Sequence, residues 1–280
     1  MLHILKTRGE LADFLADQAR SHSIGLVPTM GALHQGHLSL IASSAGENEL
    51  TVCSIFVNPT QFTDARDLET YPRPVESDIE QLRQTDCDAL FMPAVADMYP
   101  GQEHWNIDLG ELDGLMEGKF RPGHYQGVTQ VVKKLFDLVR PVRAYFGQKD
   151  YQQFLVIKRM VGIFSIPVEL VCCPTLREAD GLAMSSRNIH LSPGERKEAS
   201  LLSKALFMIK EDAAHLDPRQ ARDKALALLS SSPLIKVEYL EIADAETLRP
   251  VGDWEKAASV IALVAVKLGQ TRLIDNLFIK

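Results

Sequence analysis

The sequence contains few cysteines and no long apolar segment. Its 280 residues include four cysteines without any C-x-x-C pair, namely Cys53, Cys87, Cys172 and Cys173. Adjacent side chains of an extended strand point to opposite faces, so Cys172 and Cys173 are expected to be separate, and all four to be reduced and partly buried thiols. No apolar run reaches the roughly eighteen residues of a membrane helix, and acidic residues interrupt the N-terminal stretch where a signal peptide is apolar. We therefore expect a cytoplasmic chain with no membrane partner.

Basic residues are not concentrated anywhere along the chain. Lys and Arg number 30 against 37 Asp and Glu, which gives a net charge of −7 at pH 7. A nucleic-acid-binding face needs clustered positive charge, so nucleic acid is not an expected partner, although a local basic pocket is compatible with this balance. With 46% hydrophobic and 24% charged residues, the chain is long enough to bury one large core or two modest ones.

Five short apolar runs predict buried strands. They are IGLVPT, LTVCSIFV, DALFMP, RAYFG and VELVCCP. The runs are continuous rather than alternating and are separated by segments of helical length, which is typical of βαβ units in a parallel sheet. After RPGH, apolar residues recur at helical spacing from Val128 to Val139 and predict a crossover helix that packs on the sheet.

The pattern changes after about Thr175. A polar loop leads into a helical region rich in Ala, Leu and Lys, and three strand-like runs follow: KVEYLEIAD, ASVIALVAVKL and RLIDNLFI. Helices followed by strands suggest a second, smaller domain. We therefore predict an α/β chain with a Rossmann-like parallel-sheet domain over residues 1–175 and a smaller α+β domain over residues 176–280.

Two histidines stand one helical turn apart in VPTMGALHQGHLSLI, after a predicted strand. A metal interpretation of His34 and His37 needs further ligands, and no glutamate accompanies them as in H-E-x-x-H. A second interpretation makes them ordinary histidines of a loop and helix start. The third is a phosphate site, because Gly36 permits close approach, the positive end of a helix dipole attracts anions, and side chains at i and i+3 share a face.

Further segments extend the pattern of H-x-G-H after a first strand. That pattern resembles the nucleotidyl-transfer superfamily, which includes class I aminoacyl-tRNA synthetases and small adenylating enzymes. The segments SIFVNPTQF, YPR, RPGHYQGV, FGQKDYQQ, DGLAMSSRN and RLIDN follow in the order seen in the pantothenate synthetase family. The chain resembles that family over nearly its whole length. It departs from the family pattern at Gln148, where an acidic residue is common, and at His190, where an aromatic residue often follows the serine pair.

The resemblance implies an AMP-forming pantoate–β-alanine ligase that works through a pantoyl adenylate. ATP, pantoate and β-alanine are the implied substrates, Mg²⁺ the implied ion, and a homodimer the implied assembly. One rival is a nucleotidyltransferase that keeps the nucleotide in its product. Another is an RNA-binding synthetase fragment, which would need a basic face that this acidic chain lacks.

The resemblance also implies an ATP site. His34, His37 and Lys149 are the implied catalytic residues, which stabilise charge on the phosphates, and Asp150 can accept from the ribose. A lone lysine is commonly a solvated loop residue, but Lys149 follows a predicted buried strand, where α/β sites form. The full set of implied ATP ligands is Met30, Gly31, Ala32, Leu33, His34, Gln35, Gly36, His37, Gly147, Gln148, Lys149, Asp150, Leu176, Met184, Ser185, Ser186 and Arg187.

The segment MSSR looks like the family's counterpart of the mobile lysine- and serine-containing loop of the tRNA synthetases. Its two hydroxyls and guanidinium suit the β- and γ-phosphates, and Met184 can pack on adenine. The same letters are also ordinary loop chemistry. Its place at the expected domain junction makes the second domain a candidate lid.

Pantoate needs neutral donors and acceptors beside apolar walls. The resemblance assigns that role to Gln61 and Gln153, with Asn58 supporting the wall. Phosphates would hold most of the coordination of Mg²⁺, and Asp78 is a candidate protein ligand. The alternative is that Asp78 belongs to the charged face of a helix.

Overall fold

The structure, a computed structural model, describes residues 1–18, 23–101 and 103–280. These residues divide into two units. The first comprises Met1–Gly147 and Gln152–Pro174, and the second comprises Gln148–Tyr151 and Thr175–Lys280. The short segment Gln148–Tyr151 therefore belongs to the second unit although the chain on both sides of it belongs to the first.

The first unit is built on a six-stranded parallel sheet with the order β1-β4-β3-β2-β5-β6. Its strands are β1 (His3–Leu5), β2 (Ile24–Thr29), β3 (Leu50–Ile55), β4 (Ala89–Phe91), β5 (Arg143–Gly147) and β6 (Glu169–Cys173). Its helices are α1 (Arg8–Gln18), α2 (Gln35–Glu47), α3 (Ala65–Thr70), α4 (Val75–Arg83), α5 (Val95–Met98), α6 (Met116–Phe120), α7 (His124–Val139) and α8 (Tyr151–Phe164), apart from the first residue of α8, Tyr151, which belongs to the second unit. The predicted Rossmann-like parallel sheet is confirmed.

The central strands are apolar along their whole length because both faces of the sheet are covered. Every residue of β3 is buried, and so is every residue of β2 except Pro28. Strand β1 was not predicted. It has only three residues and pairs only with β4 at the edge of the sheet, so it leaves no long apolar run in the sequence.

Helix α7 confirms the crossover helix that the apolar spacing predicted. It begins at His124 and ends at Val139, and its buried residues include Val128, Val132 and Leu135. Its N-cap, Gly123, has a left-handed backbone (φ 82°), a conformation that glycine adopts without strain. The helix brings the segment RPGHYQGV against the region that follows β3, since Gly127 O accepts from Asn58 Nδ2 at 3.1 Å.

The strand order reverses between β2 and β5. From β2 the chain continues on one side to β3 and β4, and it later returns to the other side of β2 with β5 and β6. The ladder from β2 to β3 continues as far as Thr29 and Ile55, whereas the ladder from β2 to β5 ends at Leu26 and Ala144. Pro28 has no N–H with which to extend it. In open α/β sheets, ligands bind at the carboxyl ends of strands where the order reverses.

Within the described residues, the second unit contains three α-helices and an antiparallel sheet of three strands in the order β7-β8-β9. They are α9 (Pro193–Ala199), α10 (Leu201–Asp212), α11 (Pro218–Ser230), β7 (Ile235–Asp244), β8 (Val260–Leu268) and β9 (Thr271–Phe278). The predicted order of helices and then strands is confirmed. A core of Ala, Leu, Ile and Val side chains, which includes Leu202, Leu206 and Val264, joins the helices to the sheet. Across the described parts of both units, no helix combines the length and apolar character needed to cross a bilayer.

We expect Gly127→Ala to destabilise the protein. A Cβ at this position of α7 would overlap the carbonyl oxygen of Thr60 and lie 2.6 Å from Gln61 N, and backbone atoms cannot rotate away. The expected loss is about 1 to 3 kcal/mol of unfolding free energy, as for other overpacked sites. Gly162→Ala in α8 is the matched control, because its Cβ would meet no atom within 4 Å. That change should be neutral or stabilise by up to about 1 kcal/mol. Urea unfolding of both variants tests the contact, and equal stabilities would contradict it.

Candidate active site

The segment that follows β2 turns through two left-handed residues before α2 begins. Gly31 has φ 81° and Ala32 has φ 50°. Glycine is strongly favoured at the first of these positions, because its φ is left-handed and a Cβ there would lie 3.0 Å from both Asp78 Oδ2 and Ile55 Cγ2. The turn is further fixed by Thr29, whose hydroxyl donates to Ser54 O (2.7 Å) and accepts from Gly31 N (3.1 Å).

Asp78 of α4 holds this turn from the other side. Its two carboxylate oxygens accept from Ala32 N and Leu33 N, each at 2.8 Å. The side chain is buried, with 1% of the residue exposed. Burial raises the pKa of Asp78, and the bonds from Leu33 and Ala32 oppose that shift. A buried carboxylate is thus matched to two consecutive backbone donors that a turn of this kind would otherwise leave without an acceptor.

His34 is the N-cap of α2. Its Nδ1 atom accepts from Gly36 N at 3.1 Å. A neutral imidazole that accepts at Nδ1 carries its proton on Nε2, so the cap determines which nitrogen of His34 can donate. The rings of His34 and His37 lie against each other, with centroids 4.1 Å apart and planes inclined by 35°. Both histidines are half-buried.

The first N–H groups of α2 are used within the turn itself. His37 N and Leu38 N both donate to His34 O, at 2.8 and 3.1 Å, and Gly36 N donates to the imidazole. An anion at this helix start would therefore meet the imidazole rings and the helix dipole more than backbone N–H groups. Gln35, at the first helical position, is exposed.

Asn58 and Gln61 form a buried amide pair after β3. Asn58 Nδ2 donates to Gln61 Oε1 at 3.2 Å, and Asn58 Oδ1 accepts from the Tyr99 hydroxyl at 2.8 Å. The Gln61 amide reaches the segment after β2, since Gln61 Nε2 lies 3.0 Å from Met30 Sδ. The structure thus brings together Met30, an implied ATP ligand, and Gln61, an implied pantoate ligand.

His124 supports this amide pair and was not assigned a role from the sequence. Its Nδ1 atom lies 2.7 Å from Gln61 O, and because a carbonyl oxygen only accepts, Nδ1 is the donor. The motif RPGHYQGV was visible in the sequence, but nothing in it indicates which residue His124 contacts. The available signal was the position of His124 at the end of RPGH, just before the predicted crossover helix.

The two adjacent glutamines of α8 differ in their surroundings. Gln152 is buried, and its amide accepts from Glu117 N at 3.1 Å and donates to Leu112 O and Leu115 O at 2.7 and 2.9 Å. It therefore has a structural contact for each amide group. Gln153 is half-buried, and its assignment to pantoate stays a prediction.

In the second unit, Lys149 lies in a short 3-10 helix, Gln148–Asp150, directly after Gly147 ends β5. Lys149 Nζ lies 3.4 Å from Asp150 Oδ2, and only 18% of the lysine side chain is exposed. Gln148, where the chain departs from the family pattern, donates from Nε2 to Asn276 Oδ1 at 3.1 Å. An acidic residue at this position could not donate that bond unless it were protonated.

The segment that contains MSSR begins as a small hairpin. Arg177 and Ala183 form an isolated antiparallel bridge, and Met184 N donates to Leu176 O at 3.0 Å. The exposed Leu176 is thereby placed opposite Met184. A 3-10 helix then begins at Ser186, with the Ser185 hydroxyl as its N-cap and Arg187 N as the donor at 3.2 Å.

A second arginine fixes the tip of this hairpin. Arg196 of α9 forms ion pairs with Asp180 and with Glu178, the latter at 3.1 Å. The hydrogen bond from Arg196 lowers the pKa of Asp180. The mobility expected of a lid stays a prediction. The hairpin itself is held by backbone hydrogen bonds and by the ion pairs of Arg196.

No group of three or more His, Cys, Asp or Glu side chains in the described residues could hold a metal ion. The contacts of Asp78 are those of a structural carboxylate, as described above. Its assignment to Mg²⁺ stays a prediction. Among the same described residues, the histidine pair has no cluster of carboxylates around it that would complete a metal site.

A parallel sheet with a histidine-bearing loop at its switch point, followed by a small antiparallel sheet, defines a Rossmann-like α/β protein. The family model for pantoate-beta-alanine ligase matches residues 3–278. The pantothenate synthetase of Porphyromonas gingivalis is 44% identical over 277 residues, which is 99% of each chain. The chain therefore belongs to the pantoate-beta-alanine ligase family, a family of enzymes.

Solved structures agree with this assignment. The pantothenate synthetase of Thermus thermophilus is 44% identical and superposes with a TM-score of 0.94 over 99% of each chain. The pantoate-beta-alanine ligase of Francisella tularensis, solved in complex with beta-gamma ATP and beta-alanine, is 34% identical, with a TM-score of 0.83 over 99% of this chain and 98% of that one. The resemblance inferred from the motifs is confirmed.

We expect Asp78→Ala to destabilise the protein in the absence of divalent cations. The change leaves two buried N–H groups without their acceptor, and the expected loss is about 2 kcal/mol or more of unfolding free energy. Glu76→Ala, an exposed change in the same helix turn, should cost no more than about 0.5 kcal/mol. Urea unfolding with a chelator present measures both. A residue that served only as a cation ligand would leave the cation-free stability unchanged or higher, and that result would refute the structural role.

Proposed function

We propose that the chain condenses pantoate with β-alanine in an ATP-dependent reaction that passes through pantoyl adenylate. In the first step a carboxylate oxygen of pantoate attacks the α-phosphate in line, and the bond between the α- and β-phosphates breaks to release pyrophosphate. In the second step the neutral amine of β-alanine attacks the acyl carbon and loses a proton to solvent, and AMP leaves with the electrons of the C–O bond. The products are pantothenate, AMP and pyrophosphate.

The observation that carries this proposal is the contact between Gln61 and Met30. Adenylation requires the carboxylate of one substrate beside the α-phosphate of the other, and positioning supplies much of the rate in such reactions. The Gln61 amide, the implied pantoate ligand, lies 3.0 Å from the side chain that starts the histidine loop. The ligase of Francisella tularensis, solved with beta-gamma ATP and beta-alanine, supports ATP and β-alanine as two of the three proposed substrates.

The histidine pair suits the α-phosphate. His34 accepts from Gly36 N through Nδ1, which leaves Nε2–H as a donor of fixed direction. A donor that is already oriented costs no reorganisation as negative charge develops in the transition state. His37, whose ring lies against that of His34, can donate to the same phosphate, and the dipole of α2 adds to the attraction.

Lys149 and the serine segment suit the remaining phosphate oxygens. The largely buried Lys149 supplies a compact charge with little freedom to move away. Ser185, Ser186 and Arg187 supply hydroxyl and guanidinium donors at the start of a 3-10 helix. Met184 is the proposed contact for adenine, and Asp150 the proposed acceptor from the ribose.

The amide pair suits the hydroxyls of pantoate. Gln61 is held from both ends, through its side chain by Asn58 and through its backbone carbonyl by His124. A substrate hydroxyl could replace the weak contact of Gln61 Nε2 with sulfur by a stronger bond to oxygen. Gln153 is proposed as the second amide ligand, and Asn58 as the residue that orients the first.

Mg²⁺ would enter as the ion that accompanies ATP. The described side chains offer no cluster that resembles a protein-only metal site, which fits an ion held mainly by phosphate oxygens. When bound, it would neutralise charge on the β- and γ-phosphates. Asp78, which binds the turn after β2, is the proposed protein ligand of the ion. The stability test above separates its structural contacts from ion binding.

The first test of the reaction is isotope exchange. We expect labelled pyrophosphate to enter ATP when pantoate is present and β-alanine is absent, because the adenylate forms reversibly before the amine is needed. Omission of pantoate should abolish the exchange. An exchange that needs β-alanine, or that proceeds without pantoate, would rule out the acyl-adenylate route and favour a different nucleotidyl transfer.

The second test concerns the phosphate donors. His34→Ala, His37→Ala and Lys149→Ala should each lower the single-turnover rate of adenylate formation by about a hundredfold or more, the scale of the loss of one oriented donor. His34→Asn separates capping from catalysis, because asparagine is a good N-cap but has no imidazole donor. It should retain the thermal stability of the wild type and still lose the rate.

The controls for this series are exposed residues of the same types. His104→Ala and Lys158→Ala change exposed side chains of the first unit and should keep wild-type rates. Rapid-quench measurement of pantoyl adenylate is the readout. If the three site variants formed adenylate at nearly the wild-type rate, the assignment of the histidine loop and Lys149 to phosphate would be wrong.

A further inference from the structure

Two buried polar residues, Asp275 and Asn276, stand side by side near the end of β9. Asp275 is 2% exposed and Asn276 is 1% exposed. They belong to the segment RLIDN, which contributes to the family resemblance but to which the proposed reaction gives no role. Buried polar side chains are costly unless they are bonded, so their contacts indicate what they do.

Asn276 binds the backbone of the turn that carries Lys149. Asn276 Nδ2 donates to Gln148 O and to Lys149 O, each at 2.8 Å, and Asn276 Oδ1 accepts from Gln148 Nε2. Both amide hydrogens and the amide oxygen are thus used on two consecutive residues. A carboxylate has no hydrogen to donate, and a hydroxyl has only one, so a side chain of this size needs an amide to make all three bonds.

Asn276 is itself held by its neighbours. Asp275 Oδ1 accepts from Asn276 N at 2.8 Å, and Arg177 donates from Nη2 to Asn276 O at 3.2 Å. Arg177 also binds the carboxylate of Asp275 through two bonds, of 2.7 and 3.1 Å. Burial raises the pKa of Asp275, and the arginine opposes the shift. A planar guanidinium bound to both oxygens fixes an orientation more narrowly than a single bond can.

The strand that carries Asp275 and Asn276 is held by continuous pairing with its neighbour. β9 pairs with β8 continuously from Leu268 and Thr271 to Ile261 and Phe278. The Lys149 turn has a second attachment to the same region, since the Tyr151 hydroxyl donates to Ala245 O at 3.0 Å and the Tyr151 ring meets Phe278 edge-on. The turn is therefore fixed to the small sheet at Asn276 and again two residues after Lys149.

We propose that Asn276 is a positioning residue that sets the backbone of Lys149, and hence the place of its ammonium group, for adenylate formation. This rests on the proposed role of Lys149 in the reaction. A lysine side chain has four rotatable bonds, and its reach is defined only if its backbone is fixed. Asn276 supplies that constraint through the backbone of the turn, because its amide hydrogens and amide oxygen are bonded to Gln148 and Lys149.

The test uses Asn276→Asp in the full-length chain. The carboxylate has nearly the size of the amide but places oxygen against two carbonyl oxygens, so the turn must shift. We expect the single-turnover rate of adenylate formation to fall by about tenfold to a hundredfold, as for a catalytic group displaced by about an ångström. Pantoate affinity, measured by calorimetry without ATP, should stay within about threefold of the wild-type value. A threefold change in affinity is smaller than the loss of one hydrogen bond would cause.

A second variant and a control guard against a loss of folding. Asn276→Ser removes the amide with less repulsion and should show the same rate loss in a smaller degree. Leu273→Ala lies on the same strand and empties part of the core of the second unit, without a described contact to Gln148 or Lys149. It should lose stability, by urea unfolding, and keep its rate below the unfolding transition.

The decisive comparison is a double-mutant cycle with Lys149→Ala. If Asn276 acts through Lys149, then Asn276→Asp should slow the Lys149→Ala protein by no more than about twofold, although it slows the wild type at least tenfold. Losses that multiply would overturn the proposal and assign Asn276 a general structural role. A slow Lys149→Ala protein beside fully active Asn276 variants overturns the positioning role alone. A fully active Lys149→Ala protein overturns the proposed role of that lysine and this inference with it.

Discussion

The first unit depends on one carboxylate that meets two backbone N–H groups. After β2 the chain must reverse through left-handed residues in order to start α2, and such a turn directs Ala32 N and Leu33 N into the interior. Asp78 accepts from both. If those two buried donors lacked an acceptor, their lost hydrogen bonds would destabilise the turn. The position of His34 at the helix start would then not be defined. The geometry of the histidine pair is thus fixed by a residue of α4, which lies far along the chain from the turn that it holds.

The same principle recurs in the second unit with the chemistry reversed. There the groups that need a partner are carbonyl oxygens of the Lys149 turn, so the partner must donate. Asparagine supplies two hydrogens where aspartate supplied two acceptors. In both places a buried side chain binds consecutive peptide groups next to a residue that is proposed to act on ATP. In both turns, hydrogen bonds from an element distant in sequence hold the backbone. The Cα atom of the functional residue is therefore fixed, and its side chain has a defined starting position.

The fold followed from the sequence because continuous apolar runs identify strands that are covered on both faces. Those runs located β2 to β6, and the helical spacing after RPGH located α7. Strand β1 was not predicted, because three residues at a sheet edge are too few to show a hydrophobic pattern. The histidine loop and the amides of Asn58 and Gln61 were found through short motifs, which name residues but not their partners. The partners of Asp78, His124 and Asn276 depend on contacts between segments 46, 63 and 128 positions apart, and no local pattern records such pairs.

The assignment of Gln148–Tyr151 to the second unit has a consequence for how this protein can be divided or recombined. The chain leaves the first unit after Gly147, returns at Gln152 and leaves again after Pro174. A fragment that begins at Thr175 would therefore lack the peptide groups that Asn276 binds and the ring that meets Phe278. In chimaeras between relatives, the C-terminal module would need its four-residue partner from the same parent. The second unit consists of two segments that are separated in the sequence. Residues more than one hundred positions apart must therefore be exchanged together.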